Sequence, residues 1–254
     1  MLLLLEIIPY VTSFLFGIVV GSFLNVCIYR LPKQESIVKV SSHCMSCGAK
    51  LRWFDLVPLF SWLILRGRCR RCKAAISIQY PLIEGLNGIL WVFVFIVNGM
   101  NGMSLVYCFM TSALLTLSVI DWRTFEIPFG INVFLGILGL VAVVLDKEEW
   151  LSHIIGAVCV SVFLLLLYVL TQGRAIGGGD IKLMAACGLL IGWQRIILAF
   201  LLGCILGSII HIIRMKVRGE GHILAMGPYL AAGVFLAALF GQEWITWYLS
   251  LLGI

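Results

Sequence analysis

Eight apolar stretches constrain this chain before any other feature does. Near residues 8–29, 81–98, 103–120, 128–145, 150–171, 182–193, 195–213 and 223–252 the sequence runs almost without charge. A bilayer core of roughly 30 Å takes about 20 residues of helix rising 1.5 Å each, so runs near that length read as membrane spans. With 62% hydrophobic and 12% charged residues, the composition excludes a water-soluble globular domain. The expected fold is an all-α multispanning membrane protein of about eight transmembrane helices. One long polar insertion, residues 30–80, interrupts it.

Charge sets the orientation. Of 18 Lys and Arg, ten lie between Arg30 and Lys73, which places the insertion in the cytoplasm by the positive-inside rule. The opening "MLLLLEIIPYVTSF" lacks a basic first region and a small-residue cleavage site, so it reads as a retained first span with its N-terminus outside. Counting crossings onward puts "NGMNG" outside, Asp121 inside, "DKEEW" outside and "RAIGGGDIK" inside. The basic group "RMKVRGEGH" at 214–222 also belongs inside, so 183–213 must fold back once, at Trp193, Gln194 and Arg195, with a short first arm. The organisation is a first helix at 1–29, an insert at 30–80 and a helical membrane domain at 81–254.

The insert carries "CMSC" at 44–47 and "CRRC" at 69–72, with 21 residues between the pairs. That is close to the spacing of a four-thiolate zinc site, Cys44, Cys47, Cys69 and Cys72. Two disulfides or four free thiols are the other readings. A reducing cytoplasm disfavours disulfides, and an insert of about 50 residues has too little core to hold without a metal or staple. Arg66, Arg68, Arg70, Arg71 and Lys73 would offset the charge of four thiolates around Zn²⁺. His43 precedes Cys44 but is not needed as a ligand. Cys27, Cys108, Cys159, Cys187 and Cys204 sit in apolar runs and read as packing residues.

Two of the four aspartates, Asp121 in "LSVIDWRTFEIP" and Asp180 in "AIGGGDIKLM", stand where apolar segments meet the cytoplasmic boundary. Ionisable groups at membrane depth are costly and point to function. Two carboxylates on neighbouring helices suggest a dyad sharing one proton, able to activate water against an amide and to protonate the leaving nitrogen. The structural alternatives are an N-cap role for Asp180 and an interfacial pair of Asp121 with Arg123. Gly177, Gly178 and Gly179 favour the dyad, because they permit positive φ and close approach to a substrate strand. If Asp180 opens a helix and Asp121 closes one, the helix dipoles predict Asp180 as the ionised base and Asp121 as the acid. Lys182 is predicted to snorkel towards headgroups.

These residues resemble a known family. "GGGDIKLMAACG" resembles the GxGD region of the type IV prepilin peptidases, the bifunctional leader peptidases and N-methyltransferases. "GSFLNVCIYRLP" (21–32), the paired CxxC insert, "YPLIEGLNG" (80–88) and "MGPYLAAG" (226–233) agree in the same order. The resemblance implies a multi-pass protein of the bacterial inner membrane with catalytic Asp121 and Asp180. It implies cleavage of the short basic leader of type IV prepilins or type II secretion pseudopilins after a glycine on the cytoplasmic side, followed by N-methylation with S-adenosylmethionine. The cysteine insert is the part that looks like the methylating enzymes, and Glu84 is a candidate to bind the cofactor or the amine. Its alternative is a residue paired with Arg or Lys at the membrane surface. No glycine-rich nucleotide fingerprint accompanies it. After "EIP" the chain continues "FG", where many relatives carry a polar residue, which bears on substrate positioning.

Beyond prepilin substrates and membrane lipids no partner is expected, and no nucleic acid. His153, His211 and His222 read as interfacial, and Trp53, Trp62, Trp91, Trp150, Trp193, Trp244 and Trp247 as aromatic belts or insert packing. The rival function is a membrane transporter or channel in which Asp121 and Asp180 carry ions, with a zinc-stabilised cytoplasmic module.

Overall fold

The computed structural model describes residues 2–174, 176–218 and 224–253, with side chains from residue 7 onward and Arg218 without its side chain. His222 and the end of the last basic group lie outside the described residues. The chain forms two compact units, Met1–Gly99 and Met100–Ile254.

In the first unit, α1 (Leu2–Arg30) and α3 (Gln79–Asn98) run antiparallel, with a one-turn helix α2 (Phe60–Ile64) in the insert between them. Small residues let the two long backbones touch: a Cβ on Gly17 would stand 2.7 Å from Gly88 Cα, and one on Gly21 equally close to Glu84 Cα. Asn87 then donates to the Gly17 carbonyl at 2.7 Å, and Asn25 to the Tyr80 carbonyl at 3.2 Å. These are the "GSFLN" and "EGLNG" stretches of the sequence. Trp91 is buried against this seam, not placed in a belt.

The insert is built from two knuckles of the same geometry. The Cys44 N–H donates to Ala49 and the Gly48 N–H to Cys44; 25 positions on, Cys69 donates to Ala74 and Lys73 to Cys69. Gly48 and Lys73 hold the same left-handed position, at φ 66° and 60°. Trp62 closes the insert, its ring against Gly67 and its indole N–H on the Ile76 carbonyl at 3.3 Å.

The second unit holds α4 (Gly102–Thr124), α5 (Phe129–Leu145), α6 (Trp150–Leu170), α7 (Gly178–Ile191), α8 (Trp193–Arg218) and α9 (Gly227–Leu251). The core is lined by Met110, Leu117 and Ile120 of α4, Leu135 of α5, Leu183, Met184 and Leu190 of α7, and Leu230 and Val234 of α9. Helix α7 packs against α5, α6 and α8. Its Gly188 meets Gly156 of α6 so closely that a Cβ on either would collide with the other's carbonyl. His153, expected at the interface, is buried, its Nδ1 2.9 Å from the Leu189 carbonyl oxygen.

Apolar helices thus occupy all eight expected stretches, and six of them are long and apolar enough to cross a membrane. Helices α5 and α7 are shorter, at 17 and 14 residues, or about 26 and 21 Å. The fold-back after α7 comes at Gly192, at φ 83°, and Trp193 already opens α8. It falls one residue before the expected turn because glycine takes that conformation without strain.

Candidate active site

Asp121 lies in the last turn of α4, which Phe125 ends in a left-handed conformation by donating to the Asp121 carbonyl. Its side chain is 5% exposed, and its Oδ2 accepts the N–H of Gly227 at 2.9 Å. Gly227 is the first residue of α9 and is followed by Pro228, so Asp121 sits on the positive end of a 25-residue helix. A Cβ at position 227 would stand 2.7 Å from the same carboxylate oxygen. Only glycine leaves room for this contact.

Asp180 is the third residue of α7, whose N-cap is Gly177. Its carboxyl takes the Gly177 N–H, as the third residue of a capping box does, so the N-cap position itself is not its own. The group stands ahead of the apolar part of a helix too short to span. Burial and then the nearby charge of Asp121 push its pKa from 3.8 up to about 6, against the Gly177 hydrogen bond. The two carboxyls are therefore electrostatic neighbours within one unit.

Contacts beyond the two helix ends also bear on which carboxyl is the acid and which the base. Asp121 does close α4, and the N-terminus of α9 meets it with the Gly227 N–H. Asp180 does open α7, yet burial and Asp121 favour its protonated form.

The three glycines take none of the positive φ expected of them: Gly177 is extended, Gly178 and Gly179 are helical, and among the described residues of this connection the left-handed ones are Gln172 and Gly173. Close packing accounts for two of the three. A Cβ on Gly179 would press Ile127 at 3.0 Å and one on Gly177 the Asp180 carboxyl at 3.2 Å, while nothing lies within 4 Å of Gly178. Lys182 is exposed and its Nζ lies 5.3 Å over the ring of Phe129, the residue that departs from the family's polar position.

In the first unit the Sγ atoms of Cys44, Cys47, Cys69 and Cys72 all lie within 4.8 Å of one another, and Cys44 to Cys72 is 3.8 Å. A tetrahedron with metal–sulfur bonds of about 2.3 Å has edges of about 3.8 Å, so the four thiols fit a Zn²⁺ ion. The N–H groups of Cys47 and Ser46 lower the Cys44 thiol to about 6, as a ligand requires. Cys72 is raised from 9.0 to about 11: the Ala74 N–H lowers it, but desolvation and hydrogen bonding with Cys47, Cys69 and Cys44 raise it more. His43 turns its Nδ1 to the Ser41 carbonyl.

Glu84 is buried in α3, and its Oε2 accepts the N–H of Leu59 at 2.8 Å. Leu59 is held at φ 60°, a conformation costly for leucine, so this carboxylate pins a strained corner of the insert to the helix. Sequence reasoning missed Gly227 and Leu59. Only the first left a signal, in the Met-Gly-Pro that starts α9.

Residues 108–212 match the type IV leader peptidase family, and residues 15–98 match the bacterial peptidase A24 N-terminal domain. The chain is 32% identical to the prepilin leader peptidase/N-methyltransferase of Aeromonas salmonicida, over 93% of this chain and 92% of that protein. The protein of the same name from Pseudomonas putida is 32% identical over 93% and 92%, and that from Bacillus subtilis 29% identical over 94% and 97%. No solved structure matches the chain. With two membrane carboxyls brought together on α4 and α7, and with relatives matched over nearly their whole length, the chain belongs to the type IV leader peptidase family.

Proposed function

We propose that this protein is a multi-pass aspartic endopeptidase of the bacterial inner membrane that removes the basic leader of type IV prepilins or type II secretion pseudopilins after a glycine, on the cytoplasmic side, and methylates the new N-terminus. The names of the relatives support both activities. The observation that carries the first is the pair Asp121 and Asp180, each held by one backbone N–H.

In this reading ionised Asp121 takes a proton from water as the water oxygen bonds to the scissile carbonyl carbon, and Asp180 gives its proton to the carbonyl oxygen. The tetrahedral diol then collapses. Its carbon–nitrogen bond breaks as the proton on Asp121 passes to the leaving nitrogen, and a diol hydroxyl returns a proton to Asp180. Both groups end as they began.

Residues 30–80 serve as a metal-held insert between the first helix at 1–29 and the dyad-bearing segment at 81–254. Zn²⁺ on Cys44, Cys47, Cys69 and Cys72 would hold the two knuckles together. S-adenosylmethionine is the methyl donor implied for the second activity. Glu84, the residue proposed for it, is engaged by Leu59, so its contribution runs through placing the insert, and no chemical step is assigned to it. Lys182, with Gly177, Gly178 and Gly179, frames the dyad on α7, and lipid headgroups are the partner of its exposed ammonium. The comparisons lend no support to a transporter or channel.

Purified protein in detergent, given a prepilin, tests the assignment. Asp121→Asn and Asp180→Asn should each abolish leader cleavage, and full cleavage by either variant rules out the dyad. Elemental analysis of protein purified without chelator should find about one zinc per chain.

A further inference from the structure

Within residues 100–254, the described side chains include three buried polar atoms without a hydrogen-bond partner: Nδ2 and Oδ1 of Asn132 and the hydroxyl of Tyr229. Both residues are 5% exposed. A buried amide with neither end satisfied is costly, and such a group calls for a partner, whether ordered water, an ion or a bound molecule.

Along their helices both residues lie within about a turn of the groups that carry or hold the dyad. Ile127, just before α5, meets Gly179, and Gly139 of α5 meets Leu189 of α7, so α5 and α7 run parallel in a known register. Interpolation sets Asn132 level with about residue 183, roughly one helical turn or 5 Å beyond Asp180. Tyr229 is the third residue of α9, two beyond the Gly227 N–H that holds Asp121, and its ring rests against Gly207. Both orphaned groups thus belong to the first turns of helices that frame the two carboxyls.

A carboxamide presents one acceptor and a donor in a plane, the complement of a peptide group, and it pairs with extended backbone by two hydrogen bonds. A helical substrate has already spent its backbone groups internally, so such a subsite selects an unwound strand. The basic leader is kept at the cytoplasmic face by its charge, whereas Asn132 lies on the membrane side of Asp180. We propose that Asn132 and Tyr229 form a subsite that binds the peptide backbone of the apolar segment following the scissile bond and holds it extended at the dyad. This rests on the peptidase reading above.

The test uses full-length protein in detergent with a prepilin substrate, comparing the parent with Asn132→Leu, Tyr229→Phe and, as a control, Asp121→Asn. Losing one or two hydrogen bonds to substrate should raise KM about tenfold or more in each of the first two variants. Their thermal stability should equal or exceed the parent's, because no internal bond is removed. A KM within about twofold of the parent in either variant, or a clear drop in thermal stability in Tyr229→Phe, which deletes a single oxygen, would overturn the subsite. Cleavage surviving in Asp121→Asn would instead overturn the peptidase reading, so the two failures are told apart.

Discussion

A carboxylate inside a helix bundle needs a compensating positive charge, and Asp121 obtains its own from a backbone N–H 106 residues away. Replacing Gly227 with Ala puts a methyl group 2.7 Å from Oδ2 and must displace the carboxylate. Cleavage is expected to fall by about 100-fold, the cost typical of a catalytic group moved by an ångström. Gly178→Ala, with open space around it, should keep cleavage within about twofold. Asp180 makes a second prediction through pH. Its pKa is raised from 3.8 to about 6, so the stability it confers is fully present below pH 3.8 and is lost as pH rises through 6. Thermal unfolding should therefore show Asp180→Asn gaining a few degrees on the parent between pH 4 and pH 7. The aspartates were legible in the sequence because a charge interrupting an apolar run has few explanations. The contacts that bear on their protonation were not, because they come from a helix end and a neighbour that are distant along the chain.

At the scale of elements, the CxxC pairs were legible from spacing alone, since two sulfurs on one knuckle need that interval. What spacing concealed is that the knuckles are copies, one with glycine and the other with lysine at the left-handed corner. Lys73→Gly should stabilise the metal-loaded insert by about 1 kcal/mol, read as protease resistance on heating, and Gly48→Lys should cost as much. Helix positions were equally legible, because apolar periodicity and length dominate them. The contacts between helices were not: that Gly17 faces Gly88, or Gly156 faces Gly188, depends on register, and no local pattern reports it.

For the whole molecule, the sequence showed eight apolar segments but could not say that the two short ones are partners. Helices α5 and α7, at about 26 and 21 Å, pack side by side, and between them they carry Asn132 and Asp180. A bilayer meeting α5, which is shorter than its own hydrocarbon, is expected to thin there. Such thinning would bring bulk water closer to the carboxyls without a dedicated channel, and a pilin sliding sideways through the lipid would meet solvent where the sheet is thinnest. Reconstitution should show faster leader removal in short-chain lipids than in long-chain ones, with the protein equally folded in both.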